Sequence, residues 1–113
     1  MNTRGREAEA LAATFLESKG LTVVARNYRS RFGEIDSIAR DGTTLVFVEV
    51  RERKSNTYGG AAASITANKQ KKLARTALAY LGNAGTPPAC RFDAVLITGQ
   101  GRIEWLRDAF STN

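Results

Sequence analysis

Hydrophobic positions first recur at helical spacing at Ala8, Leu11, Ala12, Phe15 and Leu16, which predicts an amphipathic helix over residues 4–19. Thr3 stands where an N-cap belongs and Gly20 where a helix stops. The pattern then changes. Residues 21–28 are rich in strand formers, and residues 32–40 and 43–51 read as two further strands. Asp41-Gly42 lies between the last two, a strong local hairpin signal. Residues 52–65, with Tyr58-Gly59-Gly60 and three alanines, read as a loop and a candidate mobile segment. Helical spacing returns from Thr66 to Leu81, where Leu73, Ala74, Ala77, Tyr80 and Leu81 share a face and Gly82 ends the run. Both prolines fall in the connection 83–89, residues 90–98 form a strand, Gly99-Gln100-Gly101 a turn, and 102–107 a last strand.

The predicted order is α-β-β-β-α-β-β. Each helix is apolar on one face only, so each covers a sheet rather than sitting inside a core. The fold class is α/β, a mixed β-sheet with helices on both sides. The first three strands pair as an antiparallel meander, and the long crossover through the second helix suits a parallel return. The sequence holds no internal repeat and no linker long enough to divide it, so residues 1–113 read as one domain.

Chemistry concentrates in Gly33-Glu34-Ile35-Asp36 and Val48-Glu49-Val50-Arg51. A two-residue Asp41-Gly42 turn pairs Arg40 with Thr43, which sets Ile38 opposite Leu45, Asp36 opposite Phe47 and Glu34 opposite Glu49. On that register Glu34, Asp36, Glu49 and Arg51 share a face with Ile38, Leu45 and Phe47. Ile35, Val46, Val48 and Val50 take the other. Asp36 and Glu49 become diagonal neighbours, roughly 7–8 Å apart at Cα. Three carboxylates on one face repel, and something must offset the cost: a cation, a raised pKa or a basic neighbour. From spacing alone, a divalent ion between Asp36 and Glu49 weighs equally with salt bridging by Arg51, Arg31 or Arg53.

Composition narrows the chemistry. The chain has no histidine, which removes Ser-His-Asp and Cys-His catalysis and every histidine-ligated metal site. Its one cysteine, Cys90, forms no internal disulfide and reads as a small buried residue. Any metal ligands must be oxygens, which points to Mg²⁺, Mn²⁺ or Ca²⁺. Lys and Arg number 17 against 11 Asp and Glu, a formal charge of +6, so nucleic acid is the first partner to consider. No apolar run approaches the roughly 20 residues of a transmembrane helix, and the N-terminus lacks the apolar centre of a signal peptide. The expected location is the cytoplasm, with no membrane partner.

The Gly-Glu-Ile-Asp run, thirteen residues before Glu49 in Phe-Val-Glu-Val-Arg, resembles the PD-(D/E)xK nuclease signature. More closely, the chain resembles the YraN family of small bacterial proteins, related to archaeal Holliday-junction resolvases. The matching pieces span nearly the full length: Gly5 with Glu9, Arg26-Asn27-Tyr28, Gly33 to Asp36, Phe47 to Val50, Lys69-Gln70, and Arg91-Phe92-Asp93. The resemblance implies a restriction-endonuclease-like core in which Glu9, Asp36 and Glu49 hold Mg²⁺ or Mn²⁺. It also implies a homodimer, by analogy with resolvase-type nucleases. The lysine that would follow Glu49 by two residues is Arg51 here. An arginine binds phosphate oxygens and stabilises charge but is a poor substitute in activating water.

Without the resemblance, Glu9 reads as a glutamate at the flank of an apolar stripe, facing solvent. Lys69 and Gln70 precede Leu73 and Ala74 by four residues, so they lie on the helix's inward side near its N-terminus, within reach of the acids or of a phosphate. Arg51, Arg53, Lys54, Lys69, Lys71, Lys72 and Arg75 form the densest basic stretch. They read either as a phosphate-binding rim or as solvated surface, and surface is the preferred reading for Lys71 and Lys72. Tyr28 and Trp105 read as packing rather than base stacking, and Asp93 as a cap or salt-bridge partner. Three functions remain open. One is a Mg²⁺- or Mn²⁺-dependent endonuclease-like protein acting on structured or branched DNA, and another a nucleic-acid-binding module of the same fold. The third is a protein-interaction subunit in nucleic-acid processing.

Overall fold

The protein is described by a computed structural model over residues 3–53, 65–82, 87–98 and 101–110. Helical spacing at the N-terminus gives α1 (Thr3–Ser18), which already includes Thr3, the residue expected as its cap. Three strands follow, β1 (Thr22–Ser30), β2 (Gly33–Asp41) and β3 (Thr44–Arg53). Then come α2 (Ala67–Leu81), β4 (Cys90–Thr98) and β5 (Ile103–Phe110). The α-β-β-β-α-β-β order is the one the sequence predicts. At the start of α2 the Thr66 hydroxyl accepts from Lys69 N–H at 3.2 Å, and Gly82 closes its end by donating to Leu78 O at 3.0 Å. The loop expected at 52–65, including Lys54, and part of the 83–89 connection lie outside the described residues. No helix among the described residues is long and apolar enough to cross a membrane.

The strands form one sheet in the order β1-β2-β3-β4-β5. β1, β2 and β3 are an antiparallel meander, β4 returns parallel to β3, and β5 is antiparallel to β4. One helix covers each face. Ala8, Ala12 and Leu16 of α1 pack on Ala39, Val46, Val48, Val95 and Ile97. Leu73 and Ala77 of α2 pack on Ile35, Ile38, Phe47, Phe92 and Ala94.

Two expectations about the hairpin are corrected. The β2–β3 register pairs Asp41 with Thr44, Arg40 with Leu45 and Ile38 with Phe47, so the turn is Gly42-Thr43 rather than Asp41-Gly42. Asp41 stays in the ladder, where its carboxylate accepts from Arg91 Nη1 at 2.9 Å and Arg107 Nη2 at 3.3 Å. A shift of two residues preserves which residues share a face. Ile35 also departs from the expected face and joins the α2 side with Ile38. Strict alternation would separate residues three apart, as it would Ala25 and Tyr28 on β1, which also share the α2 side. The cause is Asn27, whose left-handed φ of 55° reverses the facing of β1 midway while β2 stays in register with it. Cys90 is exposed rather than buried, because it opens β4 beyond the reach of either helix.

The far edge of the sheet carries a fully buried charge. Asp93 is 0% exposed and accepts from Arg91 Nε at 3.0 Å, Trp105 Nε1 at 2.9 Å and the Asp108 N–H at 2.9 Å. The bond to Asp108 holds the β4–β5 irregularity, where Asp108 adopts φ 53°. Trp105 meets Phe15 of α1 edge-on at 6.1 Å, so it packs, as Tyr28 does against Tyr80. We expect Asp93→Ala to lower unfolding free energy by about 2–3 kcal/mol, since it takes the acceptor from the Trp105 indole N–H, the Asp108 N–H and the Arg91 Nε, leaving Arg91 only its bond to Asp41. The urea midpoint at constant m-value reads this, and a loss under about 1 kcal/mol would contradict it.

Candidate active site

The β2–β3 ladder ends at Ser37 opposite Val48. The next pair in that register would be Asp36 opposite Glu49, which corrects the expected diagonal placement. Instead of a ladder bond, the Val50 N–H donates to Asp36 Oδ2 at 2.8 Å. The Asp36 carboxylate therefore lies in the opening between the diverging strands. Glu49 continues the side of β3 that carries Leu45 and Phe47, so it faces the first turn of α2. It is only 3% exposed. The two acids line one cavity of about 390 Å³, walled by Gly33 and Glu34 of β2 and closed by Thr66, Asn68, Lys69 and Lys72 of α2.

Cations from two elements meet on Glu49. Lys69 Nζ is 2.7 Å and Arg51 Nε 3.1 Å from Glu49 Oε2. The Arg51 N–H is not aimed at that oxygen, and Nε, itself buried, has no hydrogen-bond partner among the described residues. Gln70 turns away, its Nε2 donating to Ile65 O at 3.0 Å. It therefore steadies the entry to α2 rather than facing the acids. Glu34 is paired outward with Arg29 Nε at 2.7 Å. Lys71, Lys72 and Arg75 are exposed along α2, and Lys72 alone of the three borders the cavity.

Among the described residues, Asp36 receives no such cation. Burial, the Glu49 charge and a hydrogen bond with Glu49 push its carboxyl up to about 8, against the opposing bond from Val50 N–H. Glu9, half-buried on α1, adds its charge in the same direction. Among the described residues no three acidic side chains converge into a ready-made cage for an ion. The acids present a pair, with Glu9 acting from farther off.

The sequence patterns point to Asp36, Glu49, Arg51 and Lys69, and the fold brings all four together. They miss Asn68 and the pairing of Glu34 with Arg29. Gly33 carried a signal: its φ of 151° is open to glycine and little else. Arg29 carried none, because its partner is set by a turn whose geometry no residue type announces.

Residues 8–97 match the family described as uncharacterised protein family UPF0102. The chain is 54% identical to a UPF0102 protein of Nitrosospira multiformis, over 100% of this chain and 97% of the relative. It is 58% identical to one from Nitrosomonas europaea, over 95% of this chain and 92% of the relative. It is 56% identical to the UPF0102 protein YraN of Salmonella newport, over 91% and 80% respectively. The chain belongs to the UPF0102 family, which is the YraN resemblance its motifs carry.

The raised Asp36 carboxyl makes stability pH-dependent with a definite sign. Below its ordinary value of 3.8 the group is protonated folded and unfolded alike, and its contribution is fully present. Between there and about 8 the unfolded chain gives up the proton and the folded chain keeps it, so stability falls as pH rises. Asp36→Asn keeps an oxygen for Val50 N–H and removes the titration. Its stability relative to the native protein should grow across that window, reaching an advantage on the order of 1–3 kcal/mol at the top. Chemical denaturation at a series of pH values measures this, and a pH-independent difference would contradict it.

Proposed function

For a UPF0102 member with this pocket, we propose a divalent-metal-dependent endonuclease-like function on structured or branched DNA. The observation that carries the reading is the Asp36–Glu49 pair, a half-buried and a buried carboxyl in one cavity with Asp36 pushed up to about 8. An acid pair held at such cost is characteristic of sites that bind a cation or move a proton. The donors are all oxygen, which suits Mg²⁺ or Mn²⁺. Asp36 and Glu49 would hold the ion, with Glu9 supporting from α1. When bound, such an ion stabilises charge on phosphoryl oxygens and makes water a better nucleophile.

The chain's own residues supply the rest. Arg51 holds a buried N–H without a partner among the described residues, a donor suited to a phosphate oxygen. Lys69 takes over what Arg51 cannot do. Its ammonium reaches Glu49 from α2, and a lysine's proton affinity responds to burial where a guanidinium's does not. It can orient water or phosphate beside the acids. Lys71, Lys72 and Arg75 continue the positive charge along α2 for the DNA backbone, and Arg53 extends the same strand as Arg51.

A second reading is the binding module without cleavage. Glu49 already has two cations on one oxygen, which favours a pocket satisfied by its own side chains.

Cleavage of branched, flapped and single-stranded DNA with Mn²⁺ separates the two. The native protein should cut a branched substrate slowly, Lys69→Ala should reduce the rate by about 10²-fold, and Arg51→Lys should raise it. Mn²⁺ should also raise the thermal midpoint of the native protein, and less so in Asp36→Asn. No metal response and no cleavage in any variant would leave the binding module. Robust cleavage by Lys69→Ala would remove that residue from the mechanism.

A further inference from the structure

Among the described residues, Phe32 is the aromatic residue that belongs to neither core cluster. Phe15 and Trp105 pack against the α1-side core, and Tyr28, Phe47, Tyr80, Phe92 and Phe110 belong to the α2 side. Phe32 lies half-buried at the β1–β2 turn, and its ring is covered by the Arg31 guanidinium, 4.9 Å from the ring centroid.

The turn is fixed in place. Phe32 N–H donates to Ser30 Oγ at 3.0 Å, and Ser30 Oγ donates to the buried Thr76 of α2 at 3.4 Å. Gly33, the next residue, walls the acid cavity. A Cβ added at Gly33 would stand 3.5 Å from Thr76 Oγ1 and 3.7 Å from Lys72 Cβ, so the turn runs close beside α2. The exposed cations nearby are Arg31 beside the ring and Lys72 and Arg75 on α2, while Arg29 is paired with Glu34.

An aromatic face next to cations, rigidly mounted beside a cavity, has the chemistry that holds an unpaired nucleotide. The ring stacks on the base and the guanidinium moves from the ring to a phosphate. Duplex DNA offers the cations its backbone but offers the ring no free base. We infer that the Arg31–Phe32 turn is a stacking site for an unpaired base of single-stranded DNA, next to the acid cavity. The inference rests on the nuclease reading only for its choice of DNA. The substrate it implies for that cavity is one with a single-stranded segment at the scissile phosphate, as at a flap or branch.

The test is fluorescence anisotropy in EDTA, with a short blunt duplex and the same duplex carrying a single-stranded overhang. The native protein should bind the overhang DNA about tenfold more tightly. Phe32→Leu should collapse that difference, and Phe32→Tyr, which keeps a stacking face, should retain it. Arg31→Ala should flatten the salt dependence of overhang binding. Equal affinity of the native protein for the two DNAs, or no binding to either, overturns the inference without any variant having to fold. A folded Phe32→Leu protein that keeps the preference overturns it as well. The assay contains no divalent ion, so it is blind to the acid pair. The Mn²⁺ shift of the thermal midpoint reports on the pair separately, and failure of one reading leaves the other visible.

Discussion

The structure turns on one interrupted ladder. Asp36 occupies the position where β2 loses regular pairing with both neighbours. On one side the pairing with β3 stops at Ser37. On the other, Asn27 of β1, with its left-handed backbone, stands between the pairs Arg26–Ser37 and Tyr28–Ile35. A backbone N–H left by such a gap needs an acceptor, and Asp36 supplies one to Val50 with its side chain. That bond lets β2 and β3 part without an orphaned amide. The opening it creates is the cavity, and the group that makes it is one of the acids inside it.

Asp93 and Asp36 are treated differently by the fold, and the contrast locates the chemistry. Asp93 is surrounded by donors on every side, an arginine, an indole and a backbone amide. Burial opposes the Arg91 charge, yet the bonds to Asp93 and Asp41 outweigh it and hold the guanidinium charged. That cluster fixes β5 and asks for nothing more. Asp36 has one backbone donor, a second carboxylate beside it and a third acting from α1. A buried carboxylate surrounded by donors is architecture, whereas a carboxyl pushed up beside a second acid in a cavity marks a candidate site.

Much of this was legible in the sequence, because the governing signals are local. Helical and alternating periods fix the seven elements, and a glycine beside an aspartate marks the hairpin. The face shared by Asp36 and Glu49 survives a wrong turn assignment, since a two-residue slip preserves parity. The precise register was not legible. Asp41 is held in the ladder by Arg91 and Arg107, fifty and sixty-six residues away. The reversal that brings Ile35 to the α2 side depends on one backbone angle at Asn27, a residue equally at home in a regular turn. Cys90 was misread because a small apolar residue at a strand start is buried only if a helix reaches over it.

The meeting of Lys69 and Arg51 on Glu49 shows why the position of a cation in the chain matters less than where the fold delivers it. Arg51 is fixed by strand alternation, two residues along from the acid it serves. Lys69 arrives from the first turn of a helix that covers the α2 face of the sheet, and its capped start sets where the ammonium falls. A carboxylate responds to charge and donor geometry, both of which the helix delivers at 2.7 Å. The strand can then carry an arginine, whose fixed charge and planar donors suit an anion. Two side chains from two elements thus reach one carboxylate, and the condition for that meeting is α2 packing against the face to which Glu49 points.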